Sequence, residues 1–236
     1  MVALFIGLAI AAVVAIGVIS WYLKKKRREE LATVAGRLGM QFSAEDPFGL
    51  LRLPFALLEK GDGRGTENVL WGSWESLEVK EFDYWYYVES TDSKGNRTRS
   101  YHRFSCAVTD LRLTAPHLTV TREGMFTRLA DHMGFPDIQF ESEDFNRAFQ
   151  VKSPDREFAT AVIDQRMMAW LIQSSGRCGF ELEGSSILCF SRKLKPPDLT
   201  PLLGTLKGFC DHVPRAAYSL YGSGSGSRDV GGTFTA

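Results

Sequence analysis

The chain has 236 residues, 44% hydrophobic and 24% charged, a balance that excludes disordered and collagen-like classes and suits one moderately large domain. Its formal charge is zero, from 28 basic and 28 acidic residues, yet five of the basic ones are Lys24, Lys25, Lys26, Arg27 and Arg28. Removing those five leaves 23 basic against 28 acidic residues, which excludes a broad nucleic-acid surface.

Residues 2–23 run without a charge, close to the roughly 20 residues that span a bilayer core. The run starts at Val2, with no basic segment before it, and ends in Trp21 and Tyr22. That pattern fits a transmembrane anchor (1–23) better than a cleaved signal peptide. Trp21, Tyr22, Lys24, Lys25, Lys26, Arg27 and Arg28 are the expected membrane-interface residues, with the lipid bilayer as partner of residues 2–23. Because the cations follow the apolar run, the positive-inside rule puts the N-terminus outside and the rest in the cytoplasm. The basic run reads either as that topology signal or as anionic-lipid recognition. Over 24–40 the juxtamembrane segment stays helical, with Leu31, Val34, Ala35 and Leu38 on one face and Gly39 as the stop.

Residues 41–218 are expected to form a cytoplasmic α+β domain of antiparallel β-hairpins with two to three packed helices. GDGRGT (61–66) leads into the strand-like ENVLWGS, so its glycines mark a turn and not a phosphate cradle, which would need a helix start. EFDYWYYVES (81–90) holds five aromatics. Leu77 and Val79 share one strand parity; Phe82, Tyr84, Tyr86 and Val88 share the other, which predicts a β-bulge near Lys80 and Glu81. After the turn DSKGN (92–96) a second strand returns through His102, Phe104, Cys106 and Val108. The remaining face would bring Trp85, Tyr87, Tyr101 and Arg103 together, either as a docking surface or as a floor beneath a helix.

Past Pro116, HLTVT predicts another strand and GMFTRLADHMG a short helix with Met125, Phe126, Leu129 and Met133 inward. DIQFESEDFNRAFQV reads as strand, charged turn and strand. Ser153, Pro154 and Asp155 open a long helix burying Phe158, Ala159, Val162, Ile163, Met167, Trp170 and Leu171. FELE and SILCF, separated by Gly184 and Ser185, read as a hairpin. A last helix from Thr200 buries Leu202, Leu203, Leu206, Phe209 and Cys210. The Gly/Ser-rich tail (219–236) is expected to be flexible.

No sequence motif assigns a catalytic, cofactor-binding or metal site. The four histidines lack metal-binding spacing, and Cys106, Cys178, Cys189 and Cys210 contain no C-x-x-C pair, so free thiols are expected. The acidic group ESED (141–144) offers paired carboxylates for hydrolysis or a divalent cation, or is a solvated turn. Asp83, Asp110 and Asp164 are expected to find hydrogen bonds.

The order LATVAGRLGMQF, NVLWG, EFDYWYY, SEDFNRAFQV and REFATAVIDQRMMAWLI resembles an uncharacterised family of bacterial, actinobacterial-type single-span membrane proteins. The resemblance runs over about residues 30–215 and implies a bacterial inner membrane and no catalytic residues. The expected function is a membrane-anchored interaction or scaffolding module with a protein partner and no cofactor. The alternatives are a tethered hydrolase using residues 141–144 and a ligand or lipid binder using the outer sheet face.

Overall fold

The structure, a computed structural model, describes residues 2–123, 135–174 and 176–222. The helix expected over 124–134 lies outside the described residues, as do residues 223–236 of the tail.

Helix α1 (Val2–Leu38) is one unbroken rod of 37 residues. Gly39, at φ +69°, ends it: Met40 N donates to Ala35 O across 2.8 Å, the six-to-one bond of a glycine-terminated helix. The C-terminal half of α1 buries Leu31 and Ala35 against the domain. The N-terminal half projects from it, with Ile10, Val13, Val14, Ile16, Val18 and Ile19 all exposed.

The single-span inner-membrane placement is corrected: among the described residues no helix is long and apolar enough to cross a membrane. The apolar half of α1 ends at Leu23. The cations that follow belong to the same helix, which continues directly into the domain core.

That domain is α+β and its sheet is antiparallel. Strands β1 (Gln41–Ser43), β2 (Gly63–Trp74), β3 (Leu77–Thr91) and β4 (Arg97–Arg122) pair in sequence order. Helix α2 (Glu143–Ala148) leads into β5 (Phe149–Lys152), and α3 (Arg156–Val162) and α4 (Gln165–Ser174) lead to β6 (Gly179–Arg192). Helices α5 (Leu199–His212) and α6 (Arg215–Tyr221) follow. Strand β4, 26 residues long, is the spine. It pairs with β3 and β5 along one edge and with β6 along the other.

Several boundaries differ from the sequence reading for physical reasons. β4 absorbs both of the strands expected around Pro116, because its register with β6 shifts between Asp110 and Leu118 and so accommodates the proline. FELE and SILCF are one strand, β6. Gly184, at φ +58°, sits beside the register shift opposite Ala115 and kinks that strand instead of reversing it. The long helix is two, because Asp164 Oδ1 accepts from Met167 N (2.7 Å) and caps a new start. Asp155, not Ser153, caps α3.

The sheet is covered on both faces, and this explains the parity change in β3. Val79 joins the core built with α1 and α3 to α6, whereas Phe82, Tyr84 and Tyr86 join a second core under Phe55, Leu57 and Leu58. β3 runs against β4 in unbroken register from Val79 to Thr91. The bulge expected near Lys80 lies instead on β2, between Glu67 and Leu70, where Asn68 takes φ +57°.

Tyr84 is 1% exposed, whereas Tyr87 is half-buried on the opposite face. Tyr84→Ala is expected to cost about 3 to 5 kcal/mol, as large aromatic truncations in cores do. Tyr87→Ala is expected to cost about 1 kcal/mol, the scale of a lost aromatic pair. Urea unfolding midpoints of the two variants check the difference; equal losses would contradict the two-faced description.

Candidate functional site

One sheet face carries, in line along β3, a buried ionic centre and an aromatic platform. Glu81 and Asp83 are almost fully buried between strands rich in apolar residues. Asp83 accepts from Arg27 of α1 in a two-pronged contact, Nε to Oδ2 at 2.7 Å and Nη2 to Oδ1 at 2.6 Å. Asn68 Nδ2 donates to it at 2.9 Å, and Lys193 Nζ lies 3.2 Å away. The third face of the Arg27 guanidinium is satisfied by Leu194 O at 2.8 Å. Of the five adjacent cations of α1, Arg27 alone turns inward. Glu81 differs: its Oε2 has no hydrogen-bond partner among the described residues. Burial, reinforced by the neighbouring Asp83 charge, pushes its carboxyl well above the usual range.

Two residues beyond Asp83, the same face presents Trp85 and Tyr87, paired across the ladder with Arg103 and Tyr101. The sequence-predicted docking residues are therefore brought together. The Trp85 and Tyr87 rings stack with centroids 6.4 Å apart, and Tyr101 lies 5.4 Å from Tyr87. Arg103 sits over Tyr101 at 5.2 Å and Arg99 over Tyr87 at 4.7 Å. The glycines of GDGRGT serve this platform. A Cβ at Gly63 would meet the Tyr87 ring at 2.4 Å, and one at Gly65 the Trp85 ring at 2.8 Å. Both rings lie across β2 because those positions have no side chain.

The other interface residues stay on α1. Trp21 and Tyr22 are exposed, Lys25 covers the Trp21 ring at 5.5 Å, and Lys25 lies 3.9 Å from Glu29 as Lys26 does from Glu30. Lys24 and Arg28 are exposed.

The acids at 141–144 open α2: Ser142 Oγ accepts from Phe145 N at 3.2 Å, and Asp144 pairs with Arg147. Glu141, Glu143 and Asp144 are exposed. Among the described residues no group of three potential ligands is placed to hold a metal. Asp83 and His102 lie on opposite faces of the β3–β4 ladder, since His102 pairs with Tyr86. Asp110 accepts from Ser186 Oγ at 2.7 Å.

A second polar cluster escaped the sequence reading. Glu181 of β6, fully buried, accepts from the backbone N–H of Ala56 and, at 3.2 Å, of Leu57. It thereby pins the loop that covers the second core. His117 Nε2 lies 3.4 Å from Glu181 and its Nδ1 2.9 Å from Glu183. Burial pushes Glu181 up to about 7 and pulls His117 down against the opposing pull of Glu183. A glutamate alternating with Phe180 and Leu182 was the only local signal; its partners are more than 60 residues away in sequence.

No family model and no curated protein matches the chain. Among solved structures it is similar to the crystal structure of the mycobacterial trehalose monomycolate transport factor A, TtfA. Identity is 13% and the TM-score 0.55, over 81% of this chain and 96% of that one. At this identity the likeness is one of fold.

Two outcomes follow from the two polar clusters. Arg27→Ala leaves Asp83 short of its main partner and is expected to cost about 3 to 5 kcal/mol, as breaking buried pairs does. Faster amide exchange over residues 27–38 than elsewhere would show that α1 has been released. For Glu181, a carboxyl raised from 4.5 to about 7 in the folded state binds its proton more tightly there than in the unfolded chain. Its contribution is therefore full below 4.5 and lost as pH rises through 7, roughly 3 kcal/mol in all. His117 works in the opposite sense, losing stability as pH falls through 6.5. The stability of the parent chain relative to Glu181→Gln should rise by about that 3 kcal/mol between pH 8 and pH 4.5; a flat difference in urea melts would refute the assignment.

Proposed function

We propose that this chain is a non-catalytic interaction module that contacts lipid through the projecting half of α1. The observation that carries the reading is the arm itself. A helix apolar on every side needs an apolar surrounding, and contiguous exposed apolar surface of this kind marks an interaction site. Ile10, Val13, Val14, Ile16, Val18 and Ile19 are each more than half exposed. Aromatic Trp21 and Tyr22 and then the basic turn follow them, the order that suits passage from an apolar phase to charged headgroups. The structural neighbour is a lipid transport factor by its title, which supports a lipid-related role. The reading concerns contact with lipid, not passage through a bilayer. A module without catalysis fits the polar clusters, since Asp83 and Glu181 are engaged in holding elements together and the 141–144 acids open into solvent.

The test is flotation of the full chain, diluted from detergent into phosphatidylcholine vesicles. The parent chain is expected to rise with the vesicles, and the double variant Val14→Glu, Val18→Glu to remain at the bottom. Flotation of both, or of neither, overturns the lipid-contact reading.

A further inference from the structure

The odd-numbered face of β3 ends in a platform of stacked rings and guanidinium groups. Trp85 and Tyr87 are fixed flat by Gly63 and Gly65, so their positions are set before anything binds. Tyr101, 47% exposed, extends the platform outward. Of the two guanidinium groups over the rings, Arg99 is paired with Glu89 at 2.7 Å. Arg103 is exposed, stacked on Tyr101, and has no carboxylate partner among the described residues. A guanidinium held by stacking keeps its planar N–H fork available, and that fork matches a phosphate better than any other side chain does.

Charge and position select the occupant. At the outer end of this face Arg97, Arg99 and Arg103 stand against Glu89, so the platform end carries an excess of positive charge, while Glu67, Glu81 and Asp83 lie further along with Arg27 and Lys193. Lys193 N donates to Arg103 O at 3.0 Å, which joins the platform to the Asp83 centre. Through that centre it is tied to Arg27, and so to the turn of α1 that exposes Lys24, Lys25, Lys26 and Arg28. The platform and the basic turn are thus held in one rigid arrangement. Both are mixtures of Trp, Tyr and cations, the composition that settles at the boundary between lipid and water.

We infer that Trp85, Tyr87, Tyr101 and Arg103 form a binding site for the phosphate of anionic phospholipid headgroups. The inference rests on the lipid-contact reading and adds to it a second, headgroup-directed contact on the folded domain. The rings lie among the headgroups, and Arg103 holds the phosphate.

The experiment compares binding of the full chain to vesicles of phosphatidylcholine alone and with about a third phosphatidylglycerol, at low salt where surface charge is least screened. Arg103→Ala is measured beside Arg156→Ala, an exposed cation of α3 outside the platform. Thermal unfolding first establishes that both variants are folded. The parent chain is expected to prefer the anionic vesicles, and Arg103→Ala to lose about fivefold of that preference, the worth of one cation at an anionic surface. Arg156→Ala should keep it, and all three should hold neutral vesicles equally through the arm. Tyr101→Ala should also weaken the anionic preference. An unchanged preference in Arg103→Ala, or equal losses in Arg103→Ala and Arg156→Ala, overturns the headgroup site while leaving the arm reading intact. Failure of the parent chain to bind either vesicle overturns both.

Discussion

A carboxylate buried between apolar strands has to be neutralised or supplied with donors, and the burial of Asp83 organises much of this structure. Arg27, Lys193 and Asn68 converge on it; an unpaired charge there would cost several kcal/mol. Each donor fixes an element. Asn68 reaches it from the β2 bulge, where the backbone leaves regular strand geometry. Lys193 and Leu194 bind the exit of β6 to the same point. Arg27 brings in α1, and with one carboxylate its fork sets both the position and the rotation of that helix. Glu81, two residues earlier, differs: its Oε2 has no hydrogen-bond partner among the described residues, and burial beside Asp83 raises its carboxyl well above the usual range.

The two-sided sheet is the next consequence. A 15-residue strand that is buried on alternate faces in different segments cannot show one simple alternation of polar and apolar residues. In β3 the even positions 82, 84 and 86 fill the core beneath the 55–58 loop, and Glu181 holds that loop down by its backbone N–H groups. The odd positions pass from helix-covered core at Val79, through the ionic centre, to the open platform at Trp85 and Tyr87. One strand therefore serves packing, anchorage and an open aromatic platform in sequence, and the crowding of aromatics in EFDYWYYVES reflects two separate ring sets back to back.

Much of this was legible locally and some of it was not. Gly39 as the end of α1, the β3–β4 hairpin and the antiparallel α+β character all follow from short-range signals. So does the joining of Trp85, Tyr87, Tyr101 and Arg103 on one face, because strand parity and the DSKGN turn determine it. Glycine misled where its role was long-range: Gly184 looks like a turn, yet it kinks a continuous strand whose length is set by pairing with β4. The inward turn of Arg27 was legible in principle, since 27, 31 and 35 repeat at four-residue spacing with Leu31 and Ala35. It was masked by the four cations around it, which promote reading the run as one topology signal or lipid-facing block. Glu181 and His117 meet across elements far apart in sequence, and no window of local pattern contains both.

The orientation of the arm depends on this anchorage. A tether of Gly and Ser would let the domain meet a surface in any orientation, but α1 runs without a break from the exposed apolar half to the buried half. Bending it would cost backbone hydrogen bonds, and rotating it would pull Arg27 off Asp83. The direction of the arm relative to the sheet is therefore set by a buried ion pair. The odd face of β3 runs from that ion pair at Asp83 to Trp85 and Tyr87. An unbroken helix and one buried guanidinium suffice to fix how the arm and this sheet face are oriented to each other, with no flexible loop between them.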